Sequence, residues 1–256
     1  MAGMVDQAGR VLWTREFAAT AKGYAAALTW MRGHGELARV GVEGKGSYGA
    51  GLARYLAARG IEVAEVIRPN RQARRRRGKS DPADAVAAAL AALNGEASGQ
   101  PKSANGAVES IRALQVARRG AVKARTQAGN QLRDLIITAP EAVREKLAGR
   151  PATERVKLAA RFRPGGLTSP AGAAKAAMAT VARRHQALTA EITQLGTALE
   201  TLLAHTAPAG FQTKTGVGTR VAATLLVTAG DNPGRLRTEA SFAALCGASP
   251  ADASPG

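Results

Sequence analysis

Between Met178 and Leu202 the residues Met178, Val181, His185, Leu188, Ile192, Leu195, Leu199 and Leu202 step by three and four alternately. Only an α-helix returns such positions to one face, and an apolar seam kept up over several heptads has to be covered by another helix. The spacing predicts a long helix in a coiled-coil arrangement, packed as an antiparallel hairpin or as part of a dimer. His185 reads as a polar position tolerated on that seam. A second stretch, Ala107 to Ile137, carries Val108, Ile111, Leu114, Val122, Leu132 and Leu135 at helical spacing between many Arg and Lys, and predicts another long helix. The Arg163-Pro164-Gly165-Gly166 break separates the two.

The first third has a different grammar. Strand-like runs at Val11 to Thr20, Leu37 to Val42 and Ile61 to Ile67 alternate with helical ones at Ala21 to Arg32, Ser47 to Arg59 and Pro82 to Asn94. Such alternation predicts an α/β domain over residues 1–96, a helical coiled-coil region over 97–207, and a smaller helical part over 208–256. Sheets of this kind place ligands at the carboxyl ends of their strands, which is where Glu43 lies.

Composition narrows the partners. A net charge of +17 on 256 residues favours a polyanion, and the cations cluster. One cysteine, Cys246, excludes an intramolecular disulfide framework, and three scattered histidines, His34, His185 and His205, give no zinc spacing. No apolar run approaches the roughly 20 residues of a membrane span. The expectation is a soluble protein of a reducing cytoplasm, without a membrane partner.

The chemistry concentrates between Arg68 and Asp84. Arg68, Arg71, Arg74, Arg75, Arg76, Arg77 and Lys79 lead directly into Ser80-Asp81-Pro82-Ala83-Asp84. Cations at this density bind phosphate backbones. Asp81 and Asp84, three apart, have two readings: acids capping a helix N-terminus, or, together with Glu43, carboxylates holding a hard divalent ion for phosphoryl transfer. A further carboxylate from a central strand would be expected for the second. Gly44-Lys45-Gly46-Ser47 lacks the spacing of a phosphate loop and reads as a sharp turn after Glu43. Gly216-Val217-Gly218 before the apolar Val221 to Val227 reads either as a turn before a buried helix or as a helix-hairpin-helix element whose glycines admit a phosphate.

These residues carry a resemblance. Val42-Glu43-Gly44-Lys45-Gly46-Ser47-Tyr48-Gly49, Arg68-Pro69 with the arginine run, and Gly78-Lys79-Ser80-Asp81-Pro82-Ala83-Asp84-Ala85 resemble the DEDD-type transposases of the bacterial IS110 insertion-sequence family. Gly216-Val217-Gly218 through Pro233, and Phe242 to Pro250, resemble the second conserved domain of that family. The resemblance implies a RuvC-like, ribonuclease-H-type N-terminal domain, a coiled-coil middle, and a C-terminal domain supplying a nucleophilic serine. It implies DNA as substrate, a structured guide RNA as partner, a homo-oligomer through the coiled coil, and Mg2+ held by acids among which Glu43, Asp81 and Asp84 match three of four.

The departures are as informative. The family's first acid lies on an opening strand ahead of the segment matching Met4 to Arg10, so the domain is expected to lack that strand, and Asp6 matches a turn acid beyond it. Lys45 replaces the family's Thr. The nucleophile position, aligned without a gap from Ser249-Pro250, holds Pro255, with Ser254 one residue out. The expected protein is a transposase that binds nucleic acid but is impaired in catalysis, or a non-catalytic, dominant-negative partner of an intact one. Nicking by Glu43, Asp81 and Asp84 with a metal is the third reading.

Overall fold

The computed structural model describes residues 1–43, 48–66, 81–97, 102–236 and 238–248. They form two compact units, Met1–Gly106 with Thr228–Gly256, and Ala107–Val227. The first is mixed α/β and the second helical.

The first unit opens with a hairpin of β1 (Ala2–Val5) and β2 (Val11–Arg15), antiparallel, with a register slip between Met4 and Val5. Asp6 closes its turn, one carboxylate oxygen accepting from Ala8 N at 2.9 Å and Arg10 N at 2.8 Å. This acid belongs to the turn. The expected strand from Val11 to Thr20 stops at Arg15, because Thr20 caps α1 (Ala21–Arg32), its hydroxyl accepting from Gly23 N at 3.1 Å. Strand β1 escaped the sequence reading because Ala2 and Gly3 are poor strand formers.

Next come β3 (Val40–Glu43), α2 (Tyr48–Ala57), β4 (Val63–Val66) and α3 (Asp81–Leu93), with β3 and β4 parallel. Side chains alternate between the two faces of this pair. Val42 and Val63 pack with Leu28 of α1 and Ala53 and Leu56 of α2, while Ala64 and Val66 pack with Ala88 and Ala92 of α3. Helices therefore cover both faces, the arrangement parallel strands demand.

Helix α3 also covers the hairpin, lying mainly on β1 and β3 and only marginally on β2 and β4. The inner strands are thus β1 and β3, yet each pair is a separate two-stranded sheet. The helix backbone rests directly on strand backbone at two glycines. A Cβ on Gly3 would stand 2.9 Å from Val86 N, and one on Gly41 would stand 2.2 Å from the Ala88 carbonyl oxygen. No other residue fits there without moving the helix.

The second unit is built on α4 (Ala107–Thr138) and α7 (Pro170–Thr206), joined through α5 (Glu141–Arg144) and α6 (Ala152–Ala159) and followed by α8 (Thr219–Ala229). The long helices run antiparallel. Ile111 near the start of α4 shares a core with Leu199 and Leu203 near the end of α7, and Leu132 and Ile136 share one with Met178 and Ala182. Of the expected seam, Met178, Ile192 and Leu199 are buried and the others half-buried. The two helices pack on one another within the chain, the hairpin of the two expected arrangements.

Returning to the first unit, Pro233–Arg235 forms a 3-10 turn before α9 (Glu239–Leu245), and Asn232 accepts from Ser103 N at 3.0 Å. Among the described residues no helix is long and apolar enough to cross a membrane.

The glycines give two outcomes. Gly41→Ala should cost the first unit about 1–3 kcal/mol, by overpacking against Ala88. Gly120→Ala in α4, where an added Cβ meets nothing within 4 Å, should stabilise its helix by about 0.5–1 kcal/mol. Urea unfolding checks the first by fluorescence, since Trp13 and Trp30 both lie in that unit, and the second by far-ultraviolet dichroism.

His185 supplies a third. It faces Gly129 of α4, its ring 3.8 Å from where a Cβ there would be. Burial, and secondarily the charge of Arg125, hold its pKa below the ordinary 6.5. The unfolded chain then takes up the proton more readily than the folded one. The His185 contribution is full above the unfolded value and is lost as pH falls through 6.5 toward the depressed one. His185→Gln should flatten this dependence in thermal melts followed across that range.

Candidate nucleic-acid interface

Glu43 ends β3, half-buried, and shares with Gly41 the face that α3 covers. Asp81 opens α3 exposed, and Asp84 follows one turn later, half-buried. The Gly41 and Ala88 contact thus fixes the strand carrying Glu43 against the helix carrying both aspartates. Carboxylates are the donors a hard divalent ion takes. Among the described residues, however, no three His, Cys, Asp or Glu side chains converge closely enough to hold a metal. The donor type suits such an ion and the convergence does not.

Glu65 on β4 is an acid the sequence reading passed over. It is 3% exposed, the one buried charged side chain among the described residues. Its register opposite Val42 puts it on the sheet face turned toward α1 and α2, away from Glu43. It is therefore on the wrong side to join Glu43, Asp81 and Asp84.

The cationic run Arg68, Arg71, Arg74, Arg75, Arg76, Arg77 and Lys79 lies outside the described residues, as do Gly44 to Ser47, Ser254 and Pro255. What is described is its anchor points, the end of β4 at Val66 and the start of α3 at Asp81. Both belong to elements that pack on one another.

At the other candidate element, Val217 packs in a core with Ile111, Leu199, Leu203, Ala222 and Ala223. That anchor leaves Gly216 and Gly218 exposed at the start of α8. Gly216 has φ +82°, a conformation that favours glycine, and an added Cβ at either glycine would meet nothing within 4 Å. Both sequence readings are compatible with this geometry: a buried helix, and a backbone open to approach beside exposed Lys214 and Arg220.

On α4, Glu109 grips Arg112, whose Nε lies 2.9 and 2.8 Å from its two carboxylate oxygens. This hydrogen bond raises the Arg112 pKa further and commits the guanidinium. Arg119 and Lys123, one turn apart, are exposed on the same helix.

The sequence reading also missed an aromatic cluster in the first unit. Trp13 of β2 meets His34 with ring centroids 5.7 Å apart, His34 meets Trp30 of α1 at 5.3 Å, and Trp30 meets Phe17 at 5.5 Å. Arg15 lies over Phe17, 5.5 Å from its centroid. The signals were present, strand alternation joining Trp13 to Arg15 and one helical turn joining Trp30 to His34, but the contacts across elements are tertiary.

The acids at the start of α3 yield a separable outcome. Removing either negative charge with Asp81→Asn or Asp84→Asn should cost about 0.3–1 kcal/mol through the helix dipole, with or without Mg2+. A cost in tryptophan-monitored unfolding that appears only with Mg2+ present would instead make these acids metal ligands.

Comparison with known proteins gives the lineage. A family model for DEDD-type IS110 transposases matches residues 1–138, and one for the IS116/IS110/IS902 transposase family matches residues 210–256. No curated relative and no solved structure matches the chain. With one family covering more than half its length and the related one its C-terminal part, the chain belongs to the IS110 family of DNA transposases.

Proposed function

We propose that this transposase chain holds DNA, together with a structured guide RNA, and does not complete strand exchange by itself. The observation that carries the proposal is a pair of sequence facts: a net charge of +17, and proline at position 255 where the resemblance puts a nucleophilic serine. The first binds phosphate backbones. The second has no hydroxyl with which to attack a phosphodiester.

The fold supports a RuvC-like, ribonuclease-H-type reading of the first unit. An antiparallel pair and a parallel pair lie under one helix, and a strand between β1 and β3 would join them into a single sheet. In that reading Glu43, Asp81 and Asp84 are three of the family's four acids, and the Mg2+ that the resemblance implies would need a further carboxylate beside them. Arg68, Arg71, Arg74 to Arg77 and Lys79 would hold the backbone beside them, and Gly216 and Gly218 would admit a second phosphate contact. A homo-oligomer would form through the coiled-coil region, where Val181, Leu188, Leu195 and Leu202 stay half-buried within the chain. Such a protein works in the bacterial cytoplasm, on the nucleoid when bound to DNA.

A non-catalytic, dominant-negative partner of an intact transposase is the second reading, favoured by the same proline. Mixed oligomers on co-expression with an intact family member would mark it.

The test is binding of a fluorescent DNA duplex across a salt series. Affinity should fall linearly on logarithmic axes, and replacing Arg74 to Arg77 with Ala should make the slope shallower by about 0.9 for each phosphate that no longer has a cation against it. Salt-insensitive binding would contradict the nucleic-acid role. Excision of an element by the purified chain would contradict the claim that it does not exchange strands.

A further inference from the structure

Aromatic residues are only 4% of this chain, yet both of its tryptophans and one of its four phenylalanines meet at one surface. In a chain so poor in aromatics, burial in the core is where rings of this size gain most. Trp13 is instead 57% exposed, His34 is exposed, and Trp30 and Phe17 are half-buried.

The rings meet at tilted angles rather than in parallel stacks. Trp13 and His34 are tilted by 52°, His34 and Trp30 meet at 62°, and Trp30 and Phe17 at 53°. Parallel stacking would have covered ring faces with one another, whereas tilted contacts leave faces open. His34 is held in place as well: its Nδ1 lies 2.7 Å from the Trp30 carbonyl oxygen, which can only accept, so Nδ1 donates.

The electrostatics of the segment agree. Between residues 10 and 39 the sequence carries Arg10, Arg15, Lys22, Arg32 and Arg39 against Glu16 and Glu36; Arg39 is paired with Glu62, and Arg15 sits over the Phe17 ring. Exposed aromatic rings with a cation beside them match unpaired bases on a phosphate backbone, with stacking tolerant of sequence. A protein partner would be met by Val11 and Leu12, which are also exposed, but the excess of cations favours a polyanion.

We propose that Trp13, His34, Trp30 and Phe17, with Arg15, form a stacking platform for the unpaired bases of single-stranded DNA. This rests on the nucleic-acid role above but assigns it a surface remote in sequence from the cationic run and the carboxylates. A transposase must at some stage handle strands released from the duplex, and this surface suits them better than a closed helix, whose bases are already stacked.

The two tryptophans are the natural probe. Adding the oligonucleotide dT12 should quench their fluorescence. Trp13→Ala should weaken dT12 binding about fivefold to a hundredfold, the range for losing one base stack, while Trp13→Phe keeps most of the affinity. Binding of a duplex with the same number of base pairs, and its salt dependence, should change little in either variant. Duplex binding without any quenching by dT12 overturns this proposal and leaves the nucleic-acid role standing, whereas binding of neither ligand by the unaltered chain removes both. An equal loss for duplex and dT12 in Trp13→Ala, or binding of oligouridine but not dT12, also overturns it. A change of oligomeric state in Trp13→Ala with dT12 affinity unmoved would make the patch a self-association surface and defeat the proposal.

Discussion

The first unit depends on how closely α3 can lie against its strands. Sheets and helices ordinarily pack with a layer of side chains between them, and here that layer is missing at Gly3 and Gly41, so backbone meets backbone. One helix can then cover two strand pairs that share no ladder hydrogen bonds. The same contact sets Glu43 on the face of α3 and carries Asp81 and Asp84 on the helix itself. Helix α3 is almost wholly apolar beyond its first turn, Val86 to Leu93 being Val, Ala and Leu. Its stability therefore comes from being covered on several sides rather than from one amphipathic stripe. Both the close approach and the cover are local to a few small residues.

The helical unit rests on a more ordinary principle. A seam of three-four spacing finds its partner within the chain, each buried leucine or isoleucine contributing about 1.5–3 kcal/mol relative to exposure. Where the seam is not apolar the opposing residue adapts. Gly129 leaves room for the imidazole of His185, and the Arg118 guanidinium Nε lies 3.9 Å from where a Cβ on Gly196 would be. Small residues on one helix thus answer large polar ones on the other, which makes the antiparallel register specific.

What could be read from residues alone was whatever repeats locally. Helix α1 matches the helical run expected at Ala21 to Arg32, with Thr20 capping it and Gly33 following it, and α4 and α7 were legible because their period persists. Strand β1 was not, since Ala2 and Gly3 carry no strand signal and the pairing with β2 is set by a turn built on Asp6. Leu203, wholly buried, lies one residue past the last seam position that was recognised. Glu43, Asp81 and Asp84 were picked out by type and context, but which face of the sheet each occupies follows from pairing and packing. For the same reason Glu65 drew no attention, and neither did the cluster of Trp13, His34, Trp30 and Phe17, whose members come from three separate segments. Lineage was legible from the motif combination.

The central claim is that nucleic acid is held where β3 and β4 end and α3 begins. Amide hydrogen exchange of the whole chain, with and without a DNA duplex at low salt, tests it most directly. Binding should protect the segment 67–80, the start of α3 and the residues beside Gly216 and Gly218, with the α4 and α7 seam unchanged. Protection confined to the long helices, with the segment leading into Asp81 unaffected, would contradict it.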